Sequence, residues 1–519
     1  MKRLTKAAAV CFAASASLAF GGCSPSDEAA TPTNDDSGYS GPDHISITQS
    51  FSMNGWEIGQ SGSAFAGTFY SAVYDPLYLI DGANEPYGVV AQDTEISEDG
   101  LTYTFNVRPG VVFTDGTELD AAGVVTNLEY LAAGFGTAST YAKVAGFAAL
   151  DEDTVEMTLS SPDPVLLYNM GLGGSYLASP TALASPDYAE ATAPSGSGPY
   201  VFDEAASLVP TDYVFTRNEN HWEADRWPWS YLEIHVVQDF TGAGTAQNML
   251  TAGDTNVMYA SWRPGLEDDA EANGWEMVEN YSAWDGVMIA DRAGDVIEPL
   301  ADPKVRLALN LVMDREARLA GATVDPGTYV TNQVFAKVDP DVESYPYDIE
   351  QAKALLAEAG YADGFSFDVP AGGYFDDTMA LIAQEWAEVG VIANMVQLTP
   401  DVYNQQVFAG KWPVFAAKLQ LYGNPMKTVQ DYFTTGAMNN PFDSSAKDPV
   451  MTDLIAQFYE AGADTDAISK QINEHITAES WFGITAHTRD LYVLADGLTV
   501  KPVQGLYVPN FQQFLPDAK

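Results

Sequence analysis

The chain has 519 residues, of which 72 are acidic and 23 are basic, so its formal net charge is −49 at pH 7. This balance excludes nucleic acid as a partner, because phosphate binding requires clustered lysine and arginine side chains. Hydrophobic residues make up 46% of the chain, which excludes an intrinsically disordered protein, and the length predicts two or three lobes.

The N-terminus predicts a signal for export. A basic segment, Met1–Lys6, precedes the uncharged stretch Ala7–Phe20, which is too short to span a bilayer as a retained helix. The next residues, Gly21-Gly22-Cys23, resemble the lipobox of bacterial lipoproteins, in which the signal is cut before an acylated cysteine. We expect a lipoprotein signal peptide at 1–22, then an acylated Cys23 and a disordered tether at 23–42. The alternative is a plain signal peptide, which would leave Cys23 as the only thiol of an exported protein.

The first half of the remaining chain is predicted to be rich in β-strands. His44–Thr48 alternates as a first strand, and Thr102–Arg108 alternates between polar and apolar residues with the period of a half-buried strand. A second strand of this kind is predicted at Val155–Leu159. Asp120 is placed to cap a helix between these two strands.

The second half shows helical periodicity. Asp302, followed by a proline, predicts one helix start, and Asp348 and Gly360 delimit another helix. A third helix is predicted from Asp376 to Val389, and a strand follows it from Val391 to Leu398. The chain is therefore predicted to be mixed α/β, without internal repeats.

Residues 97–125, SEDGLTYTFNVRPGVVFTDGTELDAAGVV, carry a family resemblance. They resemble the signature of the family 5 extracellular solute-binding proteins, the oligopeptide, dipeptide and nickel binders of ABC importers. The matching positions are Asp99, Gly100, Tyr103, Phe105, Arg108, Gly110, Val111, Phe113, Asp115, Gly116 and Val124. The chain departs from the pattern at Gly123, where the family usually has an acidic residue.

Further landmarks follow in the family's order. GSGPYV at 196–201 resembles a "GTGPY" turn, and RNENHW at 217–222 resembles an "RN-x-x-YW" segment with His221 in the tyrosine position. The segment 250–257 resembles a strand entry in which Asn256 replaces an acidic residue. The helices that begin at Asp302 and Asp348 match two more landmarks.

The resemblance implies an α/β, periplasmic-binding-protein-like fold of type II, cluster C, with two hinged lobes. Lobe I would comprise 43–78, 190–290 and 485–519. An extra β-rich subdomain would occupy 79–189, and lobe II would occupy 291–484. The ligand would bind in the cleft and bring the lobes together.

The sequence does not favour an enzyme. It contains no G-x-S-x-G, H-E-x-x-H or P-loop motif. The histidines lack ligand spacing: His44, His221, His235, His475 and His487. We therefore expect no catalytic residue, no cofactor and no dedicated metal site, although a metal chelate could still be bound as an organic ligand.

The resemblance implies that a loop of the second lobe holds the ligand, and Leu419–Phe433 corresponds to this loop. Gln420 and Tyr422 are predicted to contact the ligand. Asn424 stands where peptide-binding relatives often carry the aspartate that pairs with the peptide's ammonium group. Since asparagine brings no charge, Asp431 is a candidate replacement.

Three residues outside this loop are further candidates. Trp56 and Trp284 are predicted to line the ligand site, with ordinary core packing as the alternative for both. Arg292 is a candidate partner of a ligand carboxylate, or else a member of a surface ion pair.

The expected function is that of a substrate-binding lipoprotein of an ABC importer. It would be a monomer on the outer face of the cytoplasmic membrane that delivers a peptide or peptide-like solute to permease subunits with cytoplasmic ATPases. The alternative is a surface receptor or scavenger of the same fold, which senses a non-peptide ligand such as a glycoside, an opine-like compound or a metal chelate.

Overall fold

The computed structural model describes residues 43–61, 66–237, 244–260, 262–320, 325–372, 376–437, 439–460 and 463–516. The predicted signal peptide, Cys23 and tether lie outside these residues. Within the described ranges, no helix has both the length and the apolar character needed to cross a membrane.

The strands and helices follow one another through the described ranges. The strands are β1 His44–Gln49, β2 Tyr78–Ile80, β3 Pro86–Gly88, β4 Ala91–Ile96, β5 Thr102–Val107, β6 Val144–Ala149, β7 Thr154–Leu159, β8 Tyr200–Phe202, β9 Asp212–Arg217, β10 Tyr231–Val236, β11 Val257–Ala260, β12 Glu276–Ile289, β13 Tyr329–Val330, β14 Phe365–Ala371, β15 Val391–Gln397, β16 Val414–Gln420, β17 Phe482–Leu494, β18 Leu498–Val500 and β19 Phe514–Pro516. The helices are α1 Gly67–Val73, α2 Ala121–Ala133, α3 Leu166–Asn169, α4 Pro180–Leu183, α5 Thr245–Ala252, α6 Leu266–Asn273, α7 Pro303–Leu311, α8 Arg315–Leu319, α9 Ile349–Glu358, α10 Asp376–Ala387, α11 Pro400–Phe408, α12 Pro425–Phe433, α13 Pro449–Phe458 and α14 Thr465–Ala478.

A mixed sheet of nine strands forms the centre of the fold. Its order is β16-β12-β17-β11-β1-β10-β9-β8, and β13 pairs with β17 beside this path. β1 is parallel to β10 and β11, and the other pairs are antiparallel. The sheet therefore joins strands from the beginning, middle and end of the chain.

Smaller sheets flank the central one. β4-β5-β7-β6 is an antiparallel sheet of four strands, in which Tyr103, Phe105 and Val107 of β5 are buried as the sequence predicts. β14 and β15 are parallel and are connected by a segment that contains α10, so this predicted helix and strand are confirmed.

Local signals set the helix starts. Asp120 accepts a hydrogen bond from the Gly123 amide at 2.7 Å, and Asp302 and Asp348 cap α7 and α9 in the same way. A carboxylate at this position satisfies an amide that the helix leaves without a partner. All three predicted caps are confirmed.

One hydrophobic core of the second half packs helices α7, α9 and α10 against strands. Leu309 of α7, Leu356 of α9 and Trp386 of α10 belong to this core together with Val287 of β12 and Val414 of β16. The buried indole of Trp386 donates to the Leu309 carbonyl at 3.0 Å, so the largest side chain of the core also has its polar atom satisfied.

The two longest strands of the central sheet, β12 and β17, leave no room for a side chain at Gly286. The ladder between them shifts register between Asp285 and Gly286. Gly286 has a φ of +154°, and a Cβ added there would lie 2.3 Å from the Gly483 carbonyl oxygen. Only glycine fits this approach of two backbones.

We predict that Gly286→Ala lowers the free energy of unfolding by about 1–3 kcal/mol, because the added methyl group forces the strands apart. Urea unfolding followed by circular dichroism measures this loss. The control is Gly82→Ala, because a Cβ at Gly82 meets no heavy atom within 4 Å. Equal stability of the two variants would contradict the close approach.

Candidate functional site

The turn between β16 and α12, residues Gln420–Asn424, is fixed at both ends. Gln420 closes β16 opposite Ala283 of β12. Asn424 is the N-cap of α12, and its side-chain oxygen accepts a hydrogen bond from the Met426 amide at 2.8 Å. Pro425 occupies the first turn of the helix, a position that suits proline. The amide oxygen of Asn424 is thus engaged by its own helix.

Tyr422 projects from this turn beside an ion pair. Lys427 Nζ lies 2.8 Å from an Asp431 carboxylate oxygen and 5.4 Å from the Tyr422 ring centre. Burial, and after it the nearby Asp431 carboxylate, raises the pKa of Tyr422 well above its usual value. The phenol therefore stays protonated and can donate a hydrogen bond at any physiological pH.

Two buried aromatic residues support the turn. Tyr432 of α12 donates from its hydroxyl to the Gln420 carbonyl at 3.0 Å. Trp284 of β12 is fully buried, and its ring centre lies 6.2 Å from that of Tyr432. The structure thus brings together four of the predicted site residues: Trp284, Gln420, Tyr422 and Asp431. Of these, Trp284 lies beneath the turn and packs in the core.

Lys418, four residues before Tyr422, pairs with one carboxylate of the central sheet and lies opposite a second. Its ammonium lies 3.4 Å from an oxygen of the buried Asp490 of β17, and its strand position is directly opposite Asp285 of β12. The Ser282 hydroxyl also donates to Asp490. Burial raises the pKa of Asp285, and the Lys418 charge opposes this rise.

Sequence reasoning did not identify Lys418 or Asp490 as site residues. Lys418 is the only charged residue in Val414–Tyr422, an otherwise apolar and amide-bearing stretch, and this is the signal that could have found it. Asp490 follows a histidine and an arginine in a polar stretch, so its burial gives no comparable local signal. Their contact spans 72 residues of sequence.

Distant segments enclose the turn. An added Cβ at Gly505 would lie 2.9 Å from Tyr422 Cδ1, so the C-terminal segment packs directly against this ring. Asn84, in the turn between β2 and β3, contacts Gly423. In α12, which follows the turn, the Gln430 side-chain oxygen accepts a hydrogen bond from the Asn169 amide at 2.9 Å. The turn is therefore the meeting point of the predicted lobe I, extra subdomain and lobe II.

A cavity of about 400 Å³ opens beside the turn. Its walls come from the segment 335–341, the turn with the start of α12, and the first half of α14. The lining residues are Phe335, Ala336, Lys337, Val338, Asp339, Pro340, Asp341, Tyr422, Gly423, Pro425, Asp466, Ala467, Ser469, Lys470 and Asn473. Its volume lies within the range of about 300–1,000 Å³ that is usual for small-molecule sites.

The remaining candidates lie elsewhere. Trp56 is 4% exposed, donates from Nε1 to the Thr192 carbonyl at 3.1 Å and packs 5.0 Å from the Phe202 ring. Arg292 is also buried, with its guanidinium 4.3 Å from the Trp481 ring centre. Both contact core residues, and neither is brought to the turn by any contact among the described residues.

Comparison with known proteins decides the family. The sequence profile "Bacterial extracellular solute-binding proteins, family 5 Middle" matches residues 85–440. The chain belongs to this family. The match includes the signature at 97–125 and reaches past Tyr422, so the turn of this family 5 protein lies within the matched region.

Family 5 proteins of known role are similar over much of the chain. Heme-binding protein A of Haemophilus influenzae is 29% identical over 388 residues, which cover 66% of this chain and 69% of that protein. The glutathione-binding protein GsiB of Salmonella paratyphi A is 27% identical over 335 residues, which cover 63% of this chain and 64% of that protein. The matched relatives are solute-binding proteins.

A solved structure confirms the predicted fold class. The ABC transporter-associated periplasmic binding protein DppA from Helicobacter pylori, in complex with the peptide STSA, superposes with a TM-score of 0.75. The superposition covers 92% of this chain and 98% of that one, at 16% sequence identity. This family 5 protein therefore has the periplasmic-binding-protein-like α/β fold.

We predict that Lys418→Met lowers the free energy of unfolding by about 2 kcal/mol at pH 7. This is below the roughly 3–5 kcal/mol for breaking a fully buried pair, because the Lys418 side chain is 34% exposed. Without the ammonium, the raised pKa of Asp285 rises further. Above the already raised pKa of Asp285 in the wild type, the folded variant then binds more protons than the folded wild type, so the loss relative to the wild type develops as pH rises beyond the ordinary carboxyl range.

Urea unfolding at several pH values from 4 to 7 checks this prediction. The deficit of the variant should be largest at pH 7 and shrink toward pH 4. Lys304→Met is the matched control, because Lys304 forms an exposed ion pair with Glu358 and its loss should not produce this pH dependence. A deficit that stays constant with pH would contradict the role of Lys418 beside these carboxylates.

Proposed function

We propose that this protein is the extracytoplasmic substrate-binding component of an ABC importer and that it captures a peptide or peptide-like solute. The proposal rests on one observation above all. The turn Gln420–Asn424 lies next to a cavity of about 400 Å³ and is enclosed by the C-terminal segment and by Asn84. Segments of the predicted lobe I, extra subdomain and lobe II meet at this turn. A ligand bound there can contact all three and stabilise their association.

The proposed mechanism is closure of two lobes around the solute. Lobe I comprises 43–78, 190–290 and 485–519, the extra subdomain 79–189, and lobe II 291–484. In this proposal, the Asn169–Gln430 hydrogen bond and the contact of Gly505 with Tyr422 belong to the closed form, in which these parts meet. A ligand that contacts both sides stabilises that form over the open one, and the permease recognises it.

The polar groups at the turn suit the ammonium end and the backbone of a peptide. The Asp431 carboxylate, which is paired with Lys427, can pair with an ammonium group that displaces the lysine, and the Tyr422 phenol can donate to a carbonyl oxygen. Gln420 offers both a donor and an acceptor. The relatives support a peptide-like solute, because one is named for glutathione and a solved structure holds the peptide STSA. Heme-binding protein A supports the alternative of a non-peptide ligand.

We further propose that Cys23 carries a lipid anchor and that 23–42 is the tether, which places the protein as a monomer on the outer face of the cytoplasmic membrane. The lipobox-like sequence before Cys23 supports this proposal. Intact mass spectrometry of the N-terminal fragment tests it: an acylated Cys23 is expected, and an unmodified cysteine would refute the anchor.

The direct test of the ligand is native mass spectrometry of the full chain, expressed with its N-terminal segment and purified in mild detergent without refolding. We expect a series of bound masses that fragment as small peptides. A single non-peptide mass would reject the peptide proposal and favour the receptor for a non-peptide solute. If nothing remains bound, a thermal-shift screen with peptides of two to five residues gives the same decision.

We predict that Asn424→Asp increases the affinity for peptides with a free N-terminus over their N-acetylated forms by about 5- to 10-fold. Aspartate caps a helix as well as asparagine does, so the variant adds a negative charge without losing the cap. Asn424→Ser is the control, because it keeps a capping oxygen and adds no charge. Isothermal titration with paired peptides gives the ratio, and an unchanged ratio would show that the N-terminus does not lie near this turn.

A further inference from the structure

A second cavity, of about 210 Å³, lies apart from the one beside Tyr422. Its walls come from the β2–β3 hairpin, from Asp75, Arg108 and Gln512, and from the loop 218–230 between β9 and β10. It shares no lining residue with the first cavity. Because it is smaller than the roughly 300–1,000 Å³ of most ligand sites, it suits a small polar group rather than a whole peptide.

Arg108 brings to this cavity a positive charge that no carboxylate neutralises. Its Nε donates to the Val89 carbonyl at 2.8 Å, and its guanidinium carbon lies 4.0 Å from the centre of the Trp222 ring. Among the arginines of the described ranges, Arg108 alone is neither buried nor ion-paired. Its terminal nitrogens have no partner among these residues, and a guanidinium can donate two parallel hydrogen bonds to one anionic group.

The indole on which this guanidinium stacks, that of Trp222, is held in place by Asp75. Trp222 Nε1 and the Ser197 hydroxyl each donate to the Asp75 carboxylate at 3.0 Å. Nδ1 of His221 accepts from the Glu223 amide at 3.1 Å, so this ring donates to Asp75 from Nε2, at 3.2 Å. Because the buried Asp75 already has three donors, it fixes the stacking surface and is not the partner of the guanidinium.

An ion pair at the surface completes the polar wall of the cavity. Arg226 Nη1 lies 3.1 Å from a Glu223 carboxylate oxygen, and the two side chains are 38% and 37% exposed. A pair this exposed contributes little to stability, so a ligand can separate it at small cost. A simple anion would leave the Glu223 carboxylate facing it. A zwitterion offers an anionic group to the arginines and a cationic group to Glu223, so every charge is paired.

The cavity is close to the point at which the predicted tether joins the fold. The amide of Ser230, the last residue of the loop 218–230, donates to the Asp43 carbonyl at 2.7 Å. Arg226 precedes Ser230 by four residues, which span at most about 14 Å of extended chain. A coil of the length proposed for the tether, about 20 residues, has an end-to-end distance of about 25 Å. A membrane that holds Cys23 is therefore within reach of the cavity.

We propose that this cavity binds the headgroup of a zwitterionic membrane lipid, in which a phosphate diester stands next to a primary ammonium group. Arg108 and Arg226 donate to the phosphate oxygens, and Glu223 accepts from the ammonium group. The inference rests on the proposed anchor at Cys23, because the anchor keeps headgroups at high local concentration beside a weak site. A net charge of −49 repels a purely anionic surface, which also favours a zwitterionic headgroup.

The test is a phosphorus NMR titration of the full chain, in a mild detergent without phosphorus, with glycerophosphoethanolamine, glycerophosphoglycerol and inorganic phosphate. The first two probes carry lipid headgroups without acyl chains, so the anchor cannot contribute to their binding. We expect glycerophosphoethanolamine to bind about 2- to 5-fold more tightly than glycerophosphoglycerol, because only its ammonium group pairs with Glu223. Inorganic phosphate should bind more weakly than glycerophosphoethanolamine.

Two variants test the contacts. Arg108→Gln should weaken the binding of glycerophosphoethanolamine by at least about 10-fold, because it removes the charged donors, and thermal unfolding followed by circular dichroism checks that it folds. Glu223→Gln changes an exposed side chain and should abolish the preference over glycerophosphoglycerol. Glu219→Gln is the matched control, because Glu219 pairs with Arg217 on the same loop and does not line the cavity.

The outcomes separate this inference from the proposed anchor. Equal binding of the two glycerophosphodiesters, or a preference that survives Glu223→Gln, would reject the zwitterionic headgroup. Inorganic phosphate that binds as tightly as glycerophosphoethanolamine would assign the cavity to free phosphate instead of a lipid. Unchanged binding by a folded Arg108→Gln variant, or failure of all three probes to bind, would overturn the site and leave an acylated Cys23 standing. An unmodified Cys23 would refute the anchor whatever the probes show.

Discussion

The pairing of β12 with β17 is the constraint on which the other features depend. These strands of 14 and 13 residues lie side by side and leave no room for a side chain at Gly286. β16 adds to one side of the pair and β11 to the other, so the turn that follows β16 is placed by the sheet. The position of Tyr422, and with it one wall of the cavity, follows from this pairing.

Basic residues are scarce in this chain, 23 against 72 acidic residues, and around the site they neutralise carboxylates. Lys418 pairs with Asp490, and Lys427 pairs with Asp431. A third case lies on β17, where Arg489 bonds to Asp325 at 2.7 Å and also to Glu279. Each of these three basic side chains is therefore already engaged by at least one carboxylate. A ligand charge entering there must compete with a protein ion pair.

Much of the fold was predictable because its signals are local. The caps Asp120, Asp302 and Asp348 act on amides within three residues, and the alternation in β5 describes one strand. The site was predictable only as a stretch of sequence, by resemblance. The pairing of Lys418 with Asp490 depends on strand order, which periodicity does not encode. Trp56 shows the same limit, because an indole suits a core and a binding site equally well until its neighbours are known.

The confinement of the cavity to 335–341, 422–425 and α14 has an evolutionary consequence. Substitutions at Ala467 or Val338 can change the shape of the pocket without touching the β12–β17 ladder that supports the fold. Selectivity and architecture are then modular, and each can vary while the other is conserved. A scaffold of this kind can diverge toward new solutes by few mutational steps, at little risk to its folding.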